Sequence, residues 1–159
     1  MPADLQAPLN AGDANVEVVR FDNEYDNQPK PWSGPLRSLL GIAPVVRASK
    51  AGTPCFSAAR YRAGATRGLA GVEAITQLVF DFDHLSAAQV HQLLDRLAGK
   101  PFAVYTSFSD RAGGEDDRCV RVVIVVTRSM TPAEYRVVLA AVEIELGVRA
   151  DDRAKDASH

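Results

Sequence analysis

An α+β fold is the class that this sequence of 159 residues predicts, and three observations carry the expectation. Two segments of the second half show apolar stripes at helical spacing, each opened by a capping signal. Short apolar runs rich in Val, Ile and Phe stand between them at strand length. From residue 76 the order of the segments is strand, helix, strand, strand, helix, all but the last strand of a split β-α-β unit. The expected core is therefore a ferredoxin-like or RRM-like antiparallel sheet, with an N-terminal α/β extension ahead of it.

Along the chain, residues 1–15 are rich in Ala, Asp, Asn and Pro without periodicity. Residues 1–30 are expected as a flexible segment carrying one strand, Val16–Phe21. Asp22–Pro31 holds turn formers and reads as a loop. Ser33–Leu40 reads as a short helix, with Ser33 as cap, Pro35 in the first turn and Gly41 after the end. Pro44–Arg47 and Phe56–Arg62 are expected strands, and Gly64, Gly68 and Gly71 mark a long turn before the next one.

The second half is patterned more sharply. Thr76–Asp83 is an expected strand. Ser86–Ala98 is a helix with an S-x-x-Q capping box, an apolar stripe of Val90, Leu93, Leu94 and Leu97, and Gly99 at its stop. Phe102–Phe108 is a strand and Arg111–Asp117 a loop. Val120–Val126, nearly all Val and Ile, is a central strand buried on both faces. Thr131, Pro132 and Glu134 open a second helix whose inner stripe is Tyr135, Val138, Leu139, Val142 and Leu146, and Gly147 ends it. The strand that should close the sheet after Gly147 is either missing from the expected domain or supplied by the N-terminal half.

Apolar residues make up 47% and charged residues 24%, ordinary for a globular protein. No run of about 18 apolar residues occurs, so no membrane span is expected. The N-terminus lacks a basic region followed by an apolar run, which argues against a secretory leader and for a cytoplasmic location. Cys55 and Cys119 lie far apart without metal-site spacing and read as reduced thiols. The net charge of −2 hides an asymmetry: Met1–Lys30 carries six acids against two bases, and Pro31–Val72 carries six bases and no acid. A phosphate-bearing partner accounts for that basic run, and a solvated face balanced from elsewhere in the fold accounts for it equally well.

The stretch LVFDFDHLS, Leu78–Ser86, concentrates the chemistry. Leu78, Phe80 and Phe82 share one strand face, and Val79, Asp81 and Asp83 share the other. With the phenylalanines on the helices, the aspartates point together to an open face, about 7 Å apart at the backbone. Carboxylates so placed repel unless a cation lies between them, and oxygen ligands open to solvent suit Mg²⁺ or Mn²⁺. A pair of exposed acids at a strand end is the plain structural alternative. A D-x-D strand also opens the haloacid-dehalogenase-like phosphohydrolases, with the first Asp as nucleophile. Here His84-Leu85 stands where that family has Gly-Thr, and no later Lys and acidic pair follows.

Four stretches in order carry a wider resemblance. RASKAGTPCFSAARYRAGATRGLAGVEAITQLVFDFD leads to the D-x-D strand, VYTSFSD follows as a second motif, RCVRVVIVVTRSMTPAEYRVV as a strand, turn and helix, and DDRAKDAS as a last acidic motif. With these, the segment from about Trp32 to His159 resembles the catalytic domain of archaeo-eukaryotic-type primases and primase-polymerases of plasmids and phages. Residues 31–159 are expected to form that domain, without its closing C-terminal strand.

The resemblance implies a nucleotidyltransferase that synthesises primers by two-metal-ion catalysis, from nucleoside triphosphates on a single-stranded DNA template, beside a helicase or further replication module. It implies Asp81, Asp83 and Asp152 (or Asp151 in its place) as ligands of Mg²⁺ or Mn²⁺. Ser107 or Ser109 would bind phosphate, Arg121 and Lys155 would neutralise triphosphate charge, and Lys50 and Arg67 would contact template or phosphate. The sequence departs from the family pattern at Asp110, where a His is usual, and at Ser158-His159, where an Arg is common. A non-catalytic, nucleic-acid-binding remnant of such a domain is the alternative.

Overall fold

The structure, a computed structural model, describes residues 14–40 and 51–156. The elements are β1 (Asn15–Phe21), β2 (Lys30–Pro35), α1 (Leu36–Leu40), β3 (Cys55–Ser57), β4 (Ala59–Tyr61), β5 (Val72–Leu85), α2 (Ala87–Leu97), β6 (Phe102–Thr106), β7 (Arg118–Met130) and α3 (Pro132–Leu146). Short 3₁₀ turns cover Leu69–Gly71 and Asp152–Lys155. Among the described residues the strands form two antiparallel sheets, ordered β2-β1-β3 and β4-β5-β7-β6. The α+β class, with antiparallel sheets and few helices, agrees with the sequence.

Both long helices begin where their side chains dictate. Ser86 accepts from the Gln89 amide at 3.2 Å, and the Gln89 side chain accepts from the Ser86 amide at 2.8 Å. Thr131 and Glu134 repeat the exchange at 3.2 and 2.8 Å, with Pro132 in the first turn. Each box satisfies amides that a helix start leaves without partners. α3 ends at Gly147, whose φ of 66° is the left-handed conformation glycine tolerates.

The helices cover one face of the larger sheet. Leu78, Phe80 and Phe82 of β5 pack with Val90, Leu93 and Leu97 of α2 and Tyr135, Leu139 and Leu146 of α3. Phe80 and Phe82 are fully buried and their rings stack at 5.7 Å. Burial of such side chains contributes about 1.5–3 kcal/mol each.

The opposite face is not open, as the sequence had suggested. Val16 and Val18 of β1 and Leu36 and Leu39 of α1 pack against Ala103 of β6 and Val123 of β7, with Trp32, Val79, Tyr105 and Val125 around them. The smaller sheet thus lies over the larger one, and β7 is buried on both faces, as its Val and Ile run requires. An isolated pattern of alternating residues cannot reveal which remote segment will cover a face.

Element boundaries also differ. Ser33–Pro35 is strand, not helix, because β2 pairs Ser33 with Glu17 and Pro35 with Asn15, and that ladder overrides the local cap signal. The strand expected over Phe56–Arg62 divides at Ala58: β3 pairs with β1, and β4 pairs with β5. β4 takes the edge of β5 where a closing strand was expected, so the N-terminal half fills that place. The expected strand Pro44–Arg47, the flexible start of the chain and Lys50 lie outside the described residues.

Candidate functional site

Asp81 lies opposite Arg121 in the β5–β7 register, and Arg121 lies opposite Tyr105 in the β7–β6 register. The three side chains form a row on the face away from the helices. The Arg121 guanidinium donates to Asp81 Oδ2 in a salt bridge whose side chains are 36% and 17% exposed. The Arg121 guanidinium offsets the Asp81 charge in this structure. The offset is incomplete: Asp81 Oδ1 and Arg121 Nε are buried without a hydrogen-bond partner. Asp83, two residues on, is exposed.

After Phe82 the β5–β7 register shifts, and pairing resumes at Leu85 opposite Arg118. The bulge turns His84 into the left-handed region, at φ 59°. Its Nδ1 stands 2.8 Å from Asp117 Oδ1, and the other oxygen of Asp117 accepts from the Gly113 amide at 2.8 Å. The hydrogen bonds from His84 and Gly113 hold the Asp117 carboxyl below the usual carboxylate range, and Asp117 in turn raises the His84 imidazole. Cys119 is buried beside them, and that burial pushes its thiol up, helped by the Asp83 carboxylate.

Asp110, which stands where the resembled family has His, is a clamp on the start of β7. It accepts from Arg118 Nε at 2.9 Å, from Arg118 Nη2 at 3.2 Å and from the Cys119 amide at 3.0 Å. Ser107 and Ser109 lie in the turn between β6 and this clamp. The Ser107 amide donates to the Cys119 carbonyl at 2.8 Å, and their two carbonyls accept from the Asp110 and Ala112 amides.

The C-terminal acids divide. The Asp151 amide donates to the Asp81 carbonyl at 2.8 Å, which brings the tail against β5. Asp152 instead is exposed and ion-paired with Lys155 at 2.8 Å and Arg149 at 3.0 Å, which lower its pKa. Lys155 also reaches Glu143 at 3.1 Å, so its charge is engaged by α3 and by Asp152. Among the described residues, Asp81, Asp83 and Asp152 do not form a cluster at common ligand distance. His84, Asp117 and Cys119 do, with one donor atom from each within 4.8 Å of the others.

Three of the six bases in the basic run, Arg60, Arg62 and Arg67, are engaged within the fold. Arg60 pairs with Glu17 and Arg62 donates to the Ala70 carbonyl. Arg67 lies 4.5 Å over the Phe21 ring and donates to the Glu24 carbonyl at 3.2 Å. Glu17 of β1 and the Glu24 carbonyl in the loop after it thus engage Arg60 and Arg67.

Sequence reasoning passed over Asp117 and Cys119 because they lie more than thirty residues from His84. The signal was there in the strand order: two antiparallel neighbours bring the end of one to the start of the other, so D-x-C at the start of β7 meets His84 at the end of β5.

No protein-family model matches the chain, and no curated protein matches its sequence. Among solved structures, the chain shows a distant likeness to the AEP domain of the cyanophage S-2L primase-polymerase. That match covers 92% of this chain and 70% of the other, at 13% identity and a TM-score of 0.46. A likeness at that level assigns no residue a role.

Proposed function

We propose that the chain is a nucleotidyltransferase domain of primase-polymerase type, built on an RRM-like sheet, that joins nucleotides along single-stranded DNA. The observation that carries the reading is the hydrogen bond from the Asp151 amide to the Asp81 carbonyl, which sets the last acidic motif against the D-x-D strand. The order of the four sequence motifs and the β5-α2-β6-β7-α3 succession, with β4 on the β5 edge, support it.

In this reading Asp81, Asp83 and an acid of the tail hold Mg²⁺ or Mn²⁺. The fit rests on Asp81 Oδ1, a buried carboxylate oxygen without a partner, whose lone pairs a hard cation would satisfy. Bound there, such ions would clamp a triphosphate and activate the attacking 3′-hydroxyl. Arg121, fixed by Asp81 on one side and Tyr105 on the other, is the cation set to meet phosphate charge. Asp151, the alternative to Asp152, takes the part of the tail acid, because its amide on the Asp81 carbonyl sets it against β5.

One observation favours a binding-only domain: Arg121 already neutralises Asp81. Incubation with single-stranded DNA, labelled nucleotides and Mn²⁺ decides between the readings. Extended products that vanish with chelator support the transferase. DNA binding that persists with chelator, without extension, supports the remnant. Release of inorganic phosphate with a covalent phosphate on Asp81 would make the chain a phosphohydrolase.

A further inference from the structure

Beyond nucleotidyl transfer, and without resting on it, we propose that His84, Asp117 and Cys119 form a site for a borderline transition-metal ion, Zn²⁺ in the first instance. The donor set is nitrogen, oxygen and sulfur, which selects Zn²⁺-like ions over the Mg²⁺ or Mn²⁺ that an all-carboxylate site prefers. The three donor atoms already lie within 4.8 Å of one another. On a tetrahedral ion they would stand about 3.3–3.8 Å apart. His84 Nδ1 and Asp117 Oδ1, now 2.8 Å apart, would separate slightly to admit the ion. The His84 side chain is 80% exposed and has room to make that adjustment.

The surroundings hold the donors in place. The second Asp117 oxygen is fixed by the Gly113 amide, and the Cys119 amide is fixed by Asp110. A Cβ at Gly113 would lie 2.5 Å from Asp117 Oδ2, so the loop is closed tightly over that carboxylate. The non-glycine residues with positive φ, among those described, are His84 and Arg111. Both belong to this cluster, since the Arg111 amide donates to the Asp117 carbonyl at 2.7 Å. Strained backbone of this kind persists where the surroundings over-determine it and concentrates at functional sites. An exposed His–Asp pair contributes little by itself and does not explain why the fold maintains it. On binding, the Cys119 thiol gives up its proton and the ion takes its place. With three protein donors, a fourth position remains for water or Asp83.

The test uses the full chain with its thiols reduced and Co²⁺ as a coloured stand-in. The expected result is a thiolate-to-Co²⁺ charge-transfer band that saturates at one ion per chain and is displaced by Zn²⁺. It should survive Cys55→Ser and disappear in Cys119→Ser. His84→Ala, at an exposed position, should weaken Co²⁺ binding about tenfold or more. Absence of the band in the unmodified chain, its survival in Cys119→Ser, or unchanged affinity in His84→Ala would overturn the proposal.

Discussion

Removing the Asp81 carboxylate should unsettle the fold, whereas removing that of Asp83 should not. Asp81→Ala leaves the Arg121 guanidinium largely buried, with its Nε already unpartnered and its Asp81 contact gone. Breaking a fully buried pair from one side costs about 3–5 kcal/mol. Exposure of 36% for Arg121 and 17% for Asp81 lets water take back part of that, so about 2–3 kcal/mol is expected. Arg121→Met should be destabilising for the reciprocal reason. The double variant should then recover about 1–2 kcal/mol relative to the sum of the single ones, because the two losses share one interaction. Asp83→Ala, at an exposed position, should stay within about 0.5 kcal/mol of the unmodified chain. Urea denaturation with chelator present measures all four. A neutral Asp81→Ala, or strict additivity in the double variant, would refute the account of how that charge is held.

Asp110→Ala should cost about 2–3 kcal/mol in thermal or chemical unfolding, because it strips one carboxylate from two guanidinium contacts and the Cys119 amide. The Tyr135 phenol donates to the Val79 carbonyl at 3.3 Å, and burial pushes its pKa up to about 12. Its contribution to stability is therefore present below pH of about 10, the unfolded value, and is lost as pH rises to about 12, by about 2–3 kcal/mol. Tyr135→Phe should flatten that alkaline slope in pH-dependent denaturation; part of the slope should remain, since burial also raises the Tyr105 phenol.

What the sequence made legible was local. The two capping boxes, the helical stripes and the alternation that divides Phe80 and Phe82 from Asp81 and Asp83 all depend on residues within a few positions of one another. Asp81 and Asp83 stood out because two charges break an apolar run. What it could not convey depends on which strands meet. The cover over the Asp81 face comes from Val16, Val18, Leu36 and Leu39, more than forty residues earlier. Arg121 finds Asp81 through strand register, and the same register gathers His84, Asp117 and Cys119. Asp110 looked like a defect in a motif, although it anchors the start of β7. The basic run fitted a phosphate surface and a face balanced from elsewhere equally well, and strand pairing is what brings Glu17 and the carbonyl of Glu24 to Arg60 and Arg67.

Whether the D-x-D strand and the tail together hold a metal-bound triphosphate is most directly settled by nucleotide affinity, measured with Mn²⁺ and again with chelator. The account predicts binding that requires Mn²⁺ and is lost in Asp83→Ala while that variant keeps its unfolding midpoint. Triphosphate binding that ignores the chelator, or that survives Asp83→Ala undiminished, would contradict it.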